Sequence, residues 1–232
     1  MLGLLAALAG CRWVAAEPEV PDLAVMQAAC AEVASELAFE PALRGWSWVR
    51  ERPGGWGLVQ GGLHLRTDPG TIWGGDNDGV NLLLRDLPAG EAWCVQVSVD
   101  HGGQQHPEQA GLVLYGGDDD WVKLVMEVVD GGTAAIQATE HGGQAAVDRG
   151  AWAGARPWRL RLVREGGRLL GFAQGGADGG EGWVPVGVSA MSESGESSEA
   201  RIGLMSQGGP EGNLRSARFE GFEFRAPRPS DH

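Results

Sequence analysis

Basic residues are scarce in this chain of 232 residues, which has 18 lysines and arginines against 31 aspartates and glutamates. The formal net charge is −13 at pH 7, and the pI is about 4.7. A protein that binds a phosphate backbone or an anionic membrane surface needs a basic face, and no cluster of basic residues supplies one. We therefore expect no nucleic-acid partner and no direct binding to a membrane surface.

Cysteine is also rare, with three residues in the chain. No spacing of cysteine and histidine resembles a zinc site. Cys30 and Cys94 would form a disulfide in an oxidising compartment, but Cys30 belongs to a separate N-terminal segment and nothing in the sequence places it beside Cys94. The sequence therefore favours two free thiols.

Sequence motifs of catalysis are missing as well. No Gly-x-Ser-x-Gly, His-Glu-x-x-His or phosphate-loop pattern occurs. The histidines, including His101, His106 and His141, lie mostly beside glycine pairs, where we expect solvated turns. The nearest pair of carboxylates, Glu127 and Asp130, would fall on opposite faces of a regular strand. These observations argue against an enzyme.

The chain opens with the apolar run MLGLLAALAGC, whose end, Leu8-Ala9-Gly10-Cys11, resembles the lipobox of bacterial lipoproteins. That resemblance implies a signal segment at residues 1–16 and a lipid on Cys11, the one route by which the protein would reach a membrane. No Lys or Arg precedes the run, unlike an ordinary export signal, and a start codon assigned too late would explain this. Cleavage after Val14-Ala15-Ala16 would instead release a secreted protein, and a cytoplasmic chain is the alternative to export.

Residues 17–42 read as an N-terminal helical linker. Asp22 is the expected N-cap and Pro41 the expected end of the helix. Between them, apolar residues recur at the three-then-four spacing of one helical face: Leu23, Met26, Cys30, Val33 and Leu37.

Residues 43–226 have the pattern of short strands separated by turns, and residues 227–232 form a tail. In AWCVQVSVD, for example, Trp93, Val95 and Val97 share one face, as in a strand buried on one side. Many of the 39 glycines stand as pairs between such runs. This alternation, without a helical period after Pro41, indicates a β-sandwich or barrel.

The clearest hairpin is QAGLVLYGGDDDWVKLVMEVVDGG, in which Leu112 and Leu124 belong to apolar rows that face one core. Gly116 to Asp120 is the expected connecting turn, because aspartate tolerates turn conformations well. The opposite face, with Val113 and Trp121, is more apolar than a solvated face requires. Either another layer covers that face, which we favour, or it lines a shallow groove for a ligand.

The same hairpin resembles the signature of the concanavalin A-like C-terminal module of family 43 β-xylosidases, and of its stand-alone relative, domain-of-unknown-function family 1349. Other segments resemble that module in order: residues 46–88, residues 158–187, RIGLMSQGG and ARFEGFEF. The resemblance implies an all-β, two-sheet jelly-roll sandwich, here with a short N-terminal helix. It also implies a sugar-related binding or accessory role, because no segment resembles the catalytic propeller of those enzymes.

Carbohydrate binding needs flat aromatic side chains with polar groups beside them. The aromatic candidates are Trp73, Tyr115 and Trp121, and the polar candidates are Asn81, Gln109, Lys123 and Glu127. The Glu-x-Asp-x-(x)-Glu motif of enzymes with this fold is absent, so we expect a non-catalytic carbohydrate-binding or accessory domain with a glycan as its partner. A structural or protein-interaction domain of the cell envelope is the alternative, and a hydrolase with an unrecognised site is the third candidate.

Two acidic turns offer the oxygen ligands that calcium prefers: Asp76 and Asp78 in GGDNDGVN, and Asp118 and Asp120 in the hairpin. The EF-hand spacing is not met, since the distal glutamate is missing. Turns use the same residue types without an ion. A structural calcium ion is therefore the one cofactor to consider, and no other is expected.

Overall fold

The computed structural model describes residues 19–36, 39, 43–88, 92–152, 154–176, 182–190 and 200–226. Within these ranges the chain forms two antiparallel sheets that pack face to face, which confirms the predicted all-β sandwich. The predicted signal segment at residues 1–16, with Cys11, and the tail at residues 227–232 lie outside the described residues.

One sheet has eight described strands. Seven of them run in the order β13-β12-β11-β6-β15-β4-β3, and β1 pairs with β15 beside this series. Alternating apolar residues face the second sheet, because successive side chains of a strand point to opposite faces. The strands are β1 (Glu32–Glu36), β3 (Trp56–Val59), β4 (Gly62–Arg66), β6 (Trp93–His101), β11 (Trp158–Glu165), β12 (Arg168–Gly175), β13 (Val184–Ala190) and β15 (Ser216–Ala226).

The other sheet has seven described strands in the order β10-β9-β8-β7-β14-β5-β2. Its centre is the predicted hairpin, in which Gln109 pairs with Glu127 and Tyr115 with Trp121. The strands are β2 (Ser47–Val49), β5 (Leu82–Asp86), β7 (Gln109–Gly117), β8 (Asp120–Val129), β9 (Gly132–His141), β10 (Gln144–Ala151) and β14 (Arg201–Gln207).

The main core lies between the two sheets. Leu112 and Leu124 of the hairpin pack there with Val97 and Phe219, and all four are fully buried. A second apolar cluster covers the outer face of the seven-stranded sheet, where Val113 and other residues pack under Ile72. Ile72 comes from the loop at residues 67–81, so the favoured covering layer exists, although it is a loop and covers only part of the sheet.

The N-terminal helix is shorter than the sequence predicted. Helix α1 spans Leu23–Ala29, and the Asp22 carboxylate accepts a hydrogen bond from the Ala24 amide as the expected N-cap. The prediction of helix as far as Leu37 is wrong, because residues 32–36 form β1 and pair with β15. Pairing with a sheet edge outweighs a helical period that lies within a short segment.

A disulfide joins Cys30, just after α1, to Cys94 on β6, with their Cα atoms 5.6 Å apart. The expectation of two free thiols is therefore wrong. The physical reason is that α1 packs on the outer face of the eight-stranded sheet, where Met26 and Cys30 meet Cys94, Val163 and Phe172. This contact joins segments 64 residues apart, a pairing that local sequence does not reveal.

We predict that the double substitution Cys30→Ala, Cys94→Ala lowers the free energy of unfolding by about 4 kcal/mol. The disulfide closes a span of 64 residues and so restricts the unfolded chain. Guanidinium unfolding of the variant, of the native protein and of the reduced native protein measures the effect. Equal midpoints for the oxidised and reduced native protein would contradict this prediction.

Candidate functional site

The loop at residues 67–81 is fixed to the outer face of the seven-stranded sheet by hydrogen bonds. The indole Nε1 of Trp121 donates to the Ile72 carbonyl at 2.8 Å, and the Gly74 amide donates to Oε2 of Glu140 at 2.8 Å. Within the loop, the Asp78 carboxylate accepts from the Thr71 amide at 2.8 Å. These bonds hold Trp73 in place at the margin of the covered area.

Beside this loop lies a cavity of about 390 Å³, a volume typical of small-ligand sites. Its walls are largely apolar and combine the loop, the start of β7, the middle of β8 and parts of β9 and β10. Trp73, with 37% of its surface exposed, stands at the edge. The lining residues, which we call the Trp73 pocket, are Thr71, Trp73, His106, Pro107, Gln109, Lys123, Glu127, Ile136 and Val147.

Lys123 is a charged side chain with 2% exposure in this wall. Its Nζ donates to Oε1 of Gln109 at 2.8 Å and lies 5.2 and 5.1 Å from the ring centroids of Trp73 and Trp121. Burial lowers the pKa of Lys123 to about 8, against the opposing effect of the Glu127 and Glu140 carboxylates. The two indoles and Gln109 replace part of the water that the ammonium group loses.

Glu127 places a carboxylate in the pocket wall with 13% of its side chain exposed. Burial raises its pKa, while the neighbouring Lys123 and His106 act in the opposite direction. His106 Nδ1 lies 3.5 Å from Oε1 of Glu127. Gln109 is held on both sides, since its Nε2 also donates to the Pro107 carbonyl at 3.2 Å. The pocket thus offers a partly exposed acceptor next to an oriented amide.

Four of the predicted ligand-binding residues line the pocket, namely Trp73, Gln109, Lys123 and Glu127. Trp121 has 2% exposure and supports Trp73 from below, with ring centroids 6.1 Å apart. The structure therefore places Trp121 beneath the pocket and not in its wall.

The other two predicted binding residues lie away from the pocket and make structural contacts. Asn81 is fully buried, and its Oδ1 accepts from the Arg52 amide at 2.7 Å. Tyr115 donates its hydroxyl to Asp118 at 2.5 Å. Burial, and then Asp118, raise the pKa of Tyr115 to about 12.

Three of the four acidic residues proposed for calcium have other partners, and the fourth is Asp76. Asp118 accepts two hydrogen bonds from Arg50, at 2.7 and 2.9 Å, and Asp120 lies 3.0 Å from His141. Asp78 closes its own loop, and Asp76 ends a short 3-10 helix, Gly74–Asp76. Across the described residues, no group of three acidic, histidine or cysteine side chains could hold a metal ion. The calcium prediction therefore has no support in this structure.

Sequence reasoning missed Thr71, His106, Pro107, Ile136 and Val147 as lining residues. Ile136 and Val147 belong to the outer face of their strands, and alternation in β9 and β10 would have placed them there. No local signal shows that Val147 and Trp73 line the same cavity, because this depends on how the loop at residues 67–81 lies on the sheet.

The fold and the pocket together define a class of protein, a two-sheet β-sandwich with a candidate small-ligand pocket on one outer face. The sequence matches the family model of the beta xylosidase C-terminal concanavalin A-like domain over residues 39–225. The chain belongs to that family, and the jelly-roll fold that the sequence implied is confirmed.

Solved structures support the same fold. The GH43 protein BlXynB of Bacillus licheniformis has a TM-score of 0.67 and 20% identity, over 78% of this chain and 37% of its own. A functionally unknown protein of Saccharomyces cerevisiae has a TM-score of 0.61 and 21% identity, over 80% of this chain and 98% of its own. The CBM2 module of Dit from Lactobacillus casei BL23 phage J-1 has a TM-score of 0.59 and 11% identity, over 87% and 98%.

The chain spans 37% of the length of the GH43 protein BlXynB. A comparison of the sequence with curated proteins finds no match. Over the described ranges, the helices are too short or too polar to cross a lipid bilayer.

We predict that the stability of the protein rises with pH through the titration of Lys123. Between the folded pKa of about 8 and the ordinary value of 10.5, the unfolded chain keeps a proton that the folded chain has lost. The free energy of unfolding, relative to Lys123→Met, should therefore increase by about 2 kcal/mol from about pH 8 to about pH 10.

Urea unfolding of the two proteins at several pH values in this range measures the difference. Lys123→Met retains the other titrating groups, including Tyr115, so their effects largely cancel in the comparison. Parallel pH profiles for the two proteins would show that Lys123 is not a buried ammonium group.

Proposed function

We propose that this protein is an exported carbohydrate-binding or accessory domain that holds a glycan in the Trp73 pocket. The observation that carries the proposal is the partly exposed indole of Trp73 at the edge of a largely apolar cavity with polar groups in its wall. A sugar ring has apolar C–H faces and hydroxyl edges. An aromatic side chain beside hydrogen-bonding groups matches both surfaces.

The polar groups are suited to hydroxyls. Glu127 supplies a partly exposed carboxylate that can accept hydrogen bonds, and His106 is exposed beside it. Gln109 is oriented by Lys123 and by the Pro107 carbonyl, so a ligand meets a preformed surface. Preorganisation of this kind reduces the entropic cost of binding.

The arrangement supports binding without catalysis. Glycoside hydrolysis uses two carboxyl groups on either side of the scissile bond. Glu127 lines the pocket, but Glu140, the other acidic residue that acts on Lys123, is fully buried and accepts from the Gly74 amide beneath the loop. One accessible carboxylate in this wall fits an acceptor for hydroxyl groups better than an acid–base pair.

Two features support export. The Cys30–Cys94 disulfide is typical of proteins that fold in an oxidising compartment, and the segment Leu8 to Cys11 resembles the lipobox of lipoproteins. Structural polysaccharides lie outside the cell, where an exported domain would meet them. The family is named for beta xylosidases, and one matched protein is named for xyloglucan, so plant cell-wall glycans are the first ligands to test.

We predict that the protein binds at least one soluble polysaccharide of a panel that includes xylan and xyloglucan. Trp73→Ala should weaken that binding about tenfold or more, because it removes the aromatic surface. Trp73→Phe should retain most of it. Affinity electrophoresis and calorimetry measure both effects.

Trp183→Ala is the matched control, since Trp183 is half-buried on the other sheet, where Arg161 packs over its ring at 4.2 Å. An equal loss in the two alanine variants would contradict the assignment of the pocket. If the folded protein bound no polysaccharide of the panel, the result would favour a protein-interaction domain of the cell envelope.

We also predict that the full chain, produced in a bacterial host, carries a lipid on Cys11. A fatty acid with a clickable group should label the native protein and Cys30→Ser equally, and Cys11→Ser should lose the label. Protein found outside the cells without label would instead support cleavage after Ala16.

A further inference from the structure

A second cleft lies at one end of the sandwich, where β6 and β10 end and where β9 and β11 begin. Its volume is about 520 Å³, and polar groups contribute much of its wall. The lining residues, which we call the Trp152 cleft, are His101, Gly102, Gly103, Gln104, Thr133, Trp152, Gly154, Arg156 and Trp158. No residue of this set lines the Trp73 pocket.

Trp152 supplies an open aromatic surface, with 60% exposure. Its ring lies over the turn between β8 and β9, since a Cβ added to Gly132 would be 3.3 Å from Trp152 Cζ3. Trp158 is buried below, and its Nε1 donates to the Gly154 carbonyl at 3.0 Å. The cleft therefore combines an exposed indole with a floor that hydrogen bonds hold in place.

His101 is a buried polar side chain that lines the cleft with 2% exposure. The Glu108 carbonyl lies near the ring and can accept a hydrogen bond from one nitrogen, and the described residues offer no partner to the other. Burial lowers the pKa of His101, against the effect of the nearby Glu108 carbonyl, so the ring is neutral near pH 7. A neutral imidazole has one donor and one acceptor, so the Glu108 carbonyl leaves an acceptor nitrogen that a hydroxyl group of a ligand can satisfy.

The charged groups near the cleft are already paired. Arg156 lies 3.8 Å from Asp100, and Arg215 forms an ion pair with the buried Glu108. The cleft therefore does not favour a net charge on its ligand. An exposed indole, the acceptor nitrogen of His101 and the polar Gln104 and Thr133 together suit an uncharged molecule that is rich in hydroxyl groups.

We propose that the Trp152 cleft is a second binding site for a neutral saccharide unit. The choice of ligand class rests on the function proposed above. Residues 104–106 and strand β9 run between the two sites, since Gln104 and Thr133 line the cleft and His106 and Ile136 line the Trp73 pocket.

Nuclear magnetic resonance of the tryptophan indoles separates the two sites. In the ¹⁵N-labelled full chain, the spectra of Trp73→Ala and Trp152→Ala each lack one Nε1–H signal, which identifies those two residues. We would titrate the native protein with xylohexaose, cellohexaose and mannohexaose. We expect at least one of these to shift the Trp152 signal in a saturable manner, and to do so in Trp73→Ala as well.

The outcomes distinguish this inference from the proposed function. A shift at Trp73 with no response at Trp152 to any of the three hexasaccharides would overturn the second site and leave the first. A shift at Trp152 alone would support the second site and contradict the assignment to Trp73. If neither the Trp73 signal nor the Trp152 signal shifted, the result would overturn both the proposed function and the second site.

His101→Phe tests the role of the imidazole, because it keeps an aromatic ring and removes both nitrogens. We expect the dissociation constant measured at the Trp152 signal to rise fivefold or more, with the constant at Trp73 unchanged. Gln104→Ala, an exposed substitution that should preserve folding, is the second variant. An unchanged constant at Trp152 in both variants would show that these groups take no part in binding and would overturn the site as described.

Discussion

The register between β7 and β8 is the constraint on which the core and the candidate site both depend. With Gln109 opposite Glu127, the rows that contain Leu112 and Leu124 face the other sheet, and the row that contains Lys123 faces outward. A slip of one residue would bury the polar row between the sheets and expose the core row. The same pairing thus stabilises the sandwich and positions the polar groups of the Trp73 pocket.

The outer face of this sheet is covered incompletely, and its partial cover produces the pocket. The loop at residues 67–81 buries Val113 under Ile72, and Trp73 of the same loop lines a pocket with Lys123 and Glu127 at the edge of the covered area. Keeping a lysine ammonium there costs free energy, because burial removes its water, and the lowered pKa of Lys123 reflects this cost. Soluble domains usually place such groups in water, so their retention in a pocket wall is typical of a binding surface.

The sequence predicted the types of residue in the site more reliably than the set of residues that line the pocket. The aromatic and polar residue types were recognised, and Trp73, Gln109, Lys123 and Glu127 do meet in one pocket. Alternation alone could not separate Gln109, Lys123 and Glu127 from Trp121, which shares their strand face but is covered by the loop. Nor could composition reveal that the Asp118 carboxylate, chemically suited to calcium, is occupied by Arg50.

The strand periods, the hairpin turn, the helix N-cap at Asp22 and the class of fold were predictable from the sequence, because each depends on local backbone preferences and on the spacing of apolar side chains. Three features required the folded structure: the strand at residues 32–36, the pairing of Cys30 with Cys94, and the positions of the two clefts. Those outcomes depend on contacts between segments far apart in the chain. Their free energies arise from packing and from sheet edges that exist only after the sandwich has formed.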